Sequence, residues 1–115
     1  MNDKFLSMIS ISKKAGKCFG GAFLSDQYIK SGKAKLVILS KDAGKNNRND
    51  IINACKYRKV QMLETEYTKE QLGHSLGKDK CVSIVITDEN FKKALLNIIN
   101  VKAINQETEA ITNGD

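Results

Sequence analysis

Side chains with chemistry are densest at Ser40-Lys41-Asp42-Ala43-Gly44. The stretch follows Leu36-Val37-Ile38-Leu39, an apolar run too short for a helix and bounded by turn signals, which predicts a buried strand. Ligands in open α/β sheets bind beyond the carboxyl ends of strands, so this loop is the first candidate site. Asp42 has two uses there: a base at a strand end, or an acceptor that fixes the loop through backbone N–H bonds. The second suits a turn aspartate better. Ala43-Gly44-Lys45 begins like a phosphate-binding loop, but that motif needs Gly where Leu39 stands and Ser or Thr where Asn46 stands, which argues against an NTPase. Gly16, Gly20 and Gly21 do not make the G-x-G-x-x-G fingerprint of dinucleotide binding either.

No other group has a partner by spacing. Cys18, Cys55 and Cys81 are odd in number and far apart, and the single histidine, His74, does not complete a zinc set with them. The cysteines read as small buried hydrophobes and His74 as a surface or hinge residue. Tyr28, Tyr57 and Tyr67 are too scattered for a base-stacking platform. The expectation is a non-enzyme with no metal, no cofactor and no structural disulfide.

These residues need elements to hold them. Asp3 caps a first helix whose stripe is Phe5, Met8, Ile9 and Ser12, with Leu6 beside it; Lys13 and Lys14 suit its last turn and Gly16 stops it. Cys18 and Phe19 make a very short strand. Gly20-Gly21 then leads into a helix over 22–30 with no capping side chain. Its first N–H groups are bare, which suits a phosphate, although a turn with no room for a Cβ explains the glycines equally well. Beyond the strand at 36–39, a helix is predicted over 46–58 with Ile51, Ile52 and Cys55 inward, and a strand at Val60, Met62 and Leu63. Thr68 with Gln71 forms a capping box for a helix carrying Leu72 and Leu76 and closed by Gly77. Val82 to Ile86 is apolar on both faces except Ser83, which predicts a central strand. Thr87 or Asp88 caps a last helix with Phe91, Ala94, Leu95 and Ile98 inward. Helices alternate with strands, so the fold class is α/β, a three-layer α/β/α sandwich on a small mixed central sheet. One domain is expected over residues 1–100, with 101–115 a helical extension or a frayed tail.

Charge points to the partner. Residues 1–59 carry 13 basic and 4 acidic groups, net +9, whereas residues 60–115 carry 6 basic and 9 acidic, net −3. Such asymmetry suits a face that attracts a polyanion, with Lys33 and Lys41 among its lysines, although a merely solvated surface has the same composition. No apolar run is long enough to span a bilayer, and the first residues, MNDKFLSMISISKK, lack the pattern of a secretory signal. The expectation is a cytoplasmic protein that does not engage membranes.

The run SGKAKLVILSKDAG resembles the core signature of the kink-turn-binding ribosomal-protein superfamily, the L-seven-Ae and L-thirty-e type. Gln71-Leu72-Gly73, Leu76-Gly77 and VSIVITD follow in the family's order over about residues 4 to 99, and SISKKAGK with ITDENFKKALL is most similar to the bacterial YlxQ branch. The resemblance implies a monomeric, ribosome-associated protein binding structured RNA, in company with other ribosomal proteins. It also implies the gripping regions: Lys17 to Leu24, including Gly20, Gly21, Ala22 and Phe23; Lys41 to Gly44, including Asp42 and Ala43; and Lys78 to Val82, including Lys80 and Cys81. One motif departs. Kink-turn binders carry Gly-x-Asn-Glu-x-x-Lys, where this chain has Gly21-Ala22-Phe23-Leu24-Ser25-Asp26-Gln27. Phe23, Leu24 and Gln27 replace the polar readers, so kink-turn selectivity is expected to be weak. The alternative is a protein-interaction module using Phe23 and Leu24, with an enzyme third, and the plain structural alternative is that Phe23 or Leu24 belongs to the core.

Overall fold

A computed structural model describes residues 3–100; positions 101–115, expected as an extension or a tail, lie outside the described residues. Asp3 accepts the Leu6 N–H at 2.9 Å and opens α1 (Lys4–Lys14). β1 (Cys18–Gly20), α2 (Ala22–Lys30), β2 (Leu36–Leu39), α3 (Lys45–Arg58), β3 (Gln61–Glu64), α4 (Lys69–Ser75) and β4 (Ser83–Ile86) follow in alternation. Asp88 accepts the N–H groups of Asn90 and Phe91 and caps α5, which runs from residue 89 to residue 100. The capping box of α4 is present, with Thr68 Oγ1 accepting from Gln71 N and Gln71 Oε1 accepting from Thr68 N.

The four strands form one mixed sheet in the order β1-β4-β2-β3. β4 is antiparallel to both β1 and β2, whereas β2 and β3 are parallel. β1, β2 and β3 therefore run one way and β4 runs against them. The strand expected to be central lies inside the sheet, between β1 and β2.

Strand periodicity divides the core. Leu36 and Ile38 of β2 face a layer of α1, α4 and α5 with Phe5, Ile9, Leu72 and Leu95, whereas Val37 and Leu39 face α2 and α3 with Ile29, Ile51 and Cys55. All four β2 side chains are fully buried, and each such burial stabilises the fold by about 1.5–3 kcal/mol. This is the expected three-layer sandwich.

One buried polar contact joins a helix to the sheet. Ser83, the polar residue in β4, puts its hydroxyl 3.0 Å from that of Ser25 in α2, and both residues are fully buried. The pair fixes the first turns of α2 over β4. Ser83→Ala is expected to lower stability by about 1–3 kcal/mol, because Ser25 Oγ is then without its partner. The Ser25→Ala/Ser83→Ala double variant should be less costly than the sum of the single changes. Urea unfolding of the three variants measures the coupling, and simple additivity would show that the hydroxyl pair contributes nothing.

Candidate functional site

Because β1, β2 and β3 are co-directional, their carboxyl ends lie at one end of the sheet, together with the start of β4. Four connecting segments meet there and satisfy one another's backbone groups. Gly21 N donates to Ser83 O, Ser40 N to Val82 O, Lys41 N to Tyr67 O and Cys81 N to Lys69 O, each within 2.8–2.9 Å. Asp42 adds a side-chain tie: its Oδ1 accepts the Lys69 N–H at 2.9 Å. Desolvation pushes the Asp42 carboxyl up, but that amide bond leads the effects that outweigh it and hold the group below its ordinary value. Asp42 is thus an ionised anchor between loops. Its leading backbone partner is the first residue of α4, with Ser40 and its own amide adding local support.

The two glycines before α2 have different reasons. A Cβ on Gly20 would lie 2.4 Å from Leu76 Cδ1 and 2.8 Å from Cys81 Sγ, so a side chain has no space there. Gly21 has open space but a φ of +112°, which other residues resist. The absence of room for a Cβ therefore explains Gly20 alone, and backbone conformation explains Gly21. The by-product is a helix that begins on Gly21 without a side-chain cap. α3 likewise begins on Gly44 without one, and neither helix has an acid in its first turn. α1 and α4 also start near this end, but Asp3 and Thr68 cap them. α2 and α3 both start at this end and flank one cleft, which Ala22 and Asn47 line near the helix starts and Asp26 and Asp50 line farther along. Unpaired first-turn N–H groups and the positive dipole end favour an anion at each start.

Lysines surround these starts. Lys41, Lys78 and Lys80 are exposed, and Lys78 Nζ donates to Gly20 O at 3.2 Å. Gly44 is exposed and Ala43 half-buried. Phe23 projects outward at 72% exposure, which removes it from the core, while Leu24 is half-buried. Cys81 is 4% exposed with its N–H engaged by Lys69 O, and Val82, half-buried, packs on the second core; these two shape the loop from within.

Lys17 and Lys33 are placed elsewhere. Lys17 precedes β1, and its carbonyl accepts Thr87 N beyond the far end of β4. Lys33 lines a cleft with Gly16, Gly32, Lys35 and Thr87 at that same end. A four-residue strand separates the ends by roughly 13 Å. The lysines expected to act together fall into two groups.

Nothing at this end resembles an activated nucleophile. Cys18, Cys55 and Cys81 are free and buried, and desolvation pushes the thiols of Cys18 and Cys55 up to about 11. His74 is exposed on α4. Among the described residues no three His, Cys, Asp or Glu side chains gather as a metal site, and no helix is long and apolar enough to cross a membrane.

Two supporting residues carried no local signal. Tyr67 stacks on Phe5 with centroids 5.3 Å apart and donates its hydroxyl to the Asp3 carboxylate, while its carbonyl holds Lys41 N. Desolvation and the adjacent Asp3 both raise its phenol above the usual value. Gly73 lies against backbone: a Cβ there would be 2.4 Å from Lys80 Cα.

These features define a small α/β/α module in which connecting loops and two uncapped helix starts gather at one end of the sheet. The chain belongs to the Ribosomal protein L7Ae/L30e/S12e/Gadd45 family, whose model matches residues 3–97. It is 29% identical over 97 residues to the RNA-binding protein YlxQ of Bacillus subtilis (strain 168), covering 84% of this chain and 96% of that protein. The RNA-binding protein YlxQ of Enterococcus faecium is 27% identical over 96 residues, covering 84% and 91%. Its similarity thus runs to the YlxQ-like branch, and the reading as a non-enzyme accords with these relatives. A protein of unknown function from Bacillus halodurans C superposes with a TM-score of 0.80 at 25% identity, over 86% of this chain and 99% of that one. The Giardia lamblia 15.5kD RNA binding protein shares the fold, with a TM-score of 0.66 at 18% identity over 87% and 88%.

Gly73→Ala should displace the 78–82 loop, since backbone cannot yield as a side-chain tip can. A destabilisation of about 1–3 kcal/mol is expected, the usual cost of overpacking, with amide shifts at Lys78 to Cys81. Unchanged stability and spectra would show that the close approach does not position the loop.

Proposed function

We propose that the chain is a non-enzymatic protein binding structured RNA at the carboxyl end of its sheet, in a ribosome-associated, cytoplasmic setting. The observation that carries this reading is the pairing of two uncapped helix starts, Gly21–Leu24 and Gly44–Lys45, with the exposed Lys41, Lys78 and Lys80 around them. A polyanion with regularly spaced phosphates meets both kinds of donor there. Family membership and the RNA-binding name of the YlxQ proteins support the same partner.

Phosphate contacts dominate affinity in this reading. Removing one interfacial lysine should weaken binding across RNA sequences and flatten the salt slope by about one unit. Lys41→Glu with Lys80→Glu is expected to do both in titrations of a structured ribosomal RNA fragment at several salt concentrations. Lys17→Glu with Lys33→Glu, at the opposite end, is expected to leave the slope in place. The reverse pattern would move the interface to the far end, and an unchanged affinity in both would remove these lysines from it.

Kink-turn selectivity is weak in this reading, because Phe23 and Leu24 stand where Asn and Glu read guanine edges. A guanine edge left unpaired costs roughly 1–3 kcal/mol. The wild type should bind with little preference for a kink-turn over a hairpin with a bulge of equal size that lacks the kink-turn's guanine pairs, and Phe23→Asn/Leu24→Glu/Gln27→Lys should raise that preference in a variant shown first to be folded. Tight, kink-turn-selective binding by the wild type would contradict this.

A further inference from the structure

Phe23 is not explained by the fold. It is 72% exposed, so its ring contributes little to the core, and it sits in the first turn of a helix held by the Gly21 N–Ser83 O bond and the Ser25–Ser83 hydroxyl pair. The other large exposed apolar groups among the described residues, Ile11 and Tyr57, lie on α1, in the opposite layer, and in the last turn of α3, at the other end of the sheet. Protein interfaces are built on contiguous apolar patches, and Phe23 has only the half-buried Leu24 beside it along the chain, after two glycines and an alanine. A cation lies near its helix start: the Lys78 amine is held at Gly20 O, no acid occupies the first turn of α2, and Asp26, one turn on, is paired with Lys30. A single rigid aromatic face near a cation fits a nucleobase better than an apolar protein surface, since every base has a π-face and brings phosphates with it.

We propose that Phe23 is a stacking platform for an unpaired base of the bound RNA, so that the chain selects RNA with a bulged or splayed nucleotide by stacking instead of by hydrogen bonds to base edges. This rests on the RNA reading above. A stack needs the base and not its identity, so the preference is for an unpaired nucleotide of any sequence. It also needs a ring, so an aliphatic side chain of similar size does not substitute. The interaction is neutral, and abolishing it leaves the salt slope unchanged.

The probe is an RNA hairpin with a bulge in its stem, made with the bulged bases present or replaced by abasic residues. Phe23→Ala and Phe23→Leu should bind the bulged hairpin about 5- to 150-fold more weakly than wild type, equal the wild type on the abasic hairpin, and keep the wild-type salt slope. Phe23→Trp should retain affinity. The chain has no other tryptophan, so its fluorescence reports position 23 alone and should be quenched by the bulged hairpin and not by the abasic one. Equal weakening on both hairpins, wild-type binding by Phe23→Leu, or an unquenched Phe23→Trp would each overturn stacking. If Phe23→Ala binds as wild type while Lys41→Glu/Lys80→Glu weakens binding, stacking fails and the RNA reading stands. If the wild type binds neither hairpin nor ribosomal RNA at low salt, and Phe23→Ala loses a protein partner instead, the RNA reading itself fails.

Discussion

Four loops at one end of the sheet satisfy one another's backbone hydrogen bonds, and the candidate site depends on that mutual closure. Gly21 leans on Ser83, Ser40 on Val82, Lys41 on Tyr67 and Cys81 on Lys69. Most of these groups belong to connecting segments, outside the regular ladders. Each segment leaves backbone N–H and C=O groups that must be paired or wet, and each finds its partner across this end of the sheet. The arrangement follows from β4 running against its two neighbours, which brings its amino end to the carboxyl ends of β1 and β2. The loops at this end are thereby tied to one another and to the sheet by backbone hydrogen bonds.

Within that frame, small residues sit where backbones approach and side chains sit where chemistry is needed. Gly20 lies under Leu76 and Cys81, and Gly73 lies against Lys80. Asp42 directs one carboxylate oxygen at the Lys69 amide and so ties the loop after β2 to the start of α4. Asp3 and the Thr68–Gln71 box close the starts of α1 and α4, and the starts of α2 and α3 stay open. The starts of α1 and α4 have side-chain acceptors on their first N–H groups and an acid beside them, Asp3 and Glu70, whereas the starts of α2 and α3 have neither.

Local signals made much of the fold legible. Asp3, the Thr68–Gln71 box and Asp88 act within a few residues of themselves, so their caps could be read directly. The unbroken apolar runs at 36–39 and 83–86 indicated strands covered on both faces. Contacts between distant segments were not legible. Ser83 reads as a polar exception in an apolar strand, and its partner Ser25 lies 58 residues away; Gly73 gives no local sign that Lys80 backbone packs against it. The basic first half of the chain indicated a polyanion but not where it would lie. Lys17 and Lys33 are near Gly20 and Lys41 in sequence, yet each is separated from them by the length of a strand. Composition sums charge, and only topology assigns it to an end of the sheet.

Amide chemical-shift mapping tests the assignment of that end most directly. A structured ribosomal RNA fragment titrated into the labelled protein at moderate salt should shift the amides of Gly21 to Leu24, Lys41 to Lys45 and Lys78 to Lys80, while Gly16, Lys17, Gly32 and Lys33 stay in place. Shifts centred on the second group, with the first unmoved, would contradict the interface derived from the sheet's carboxyl end.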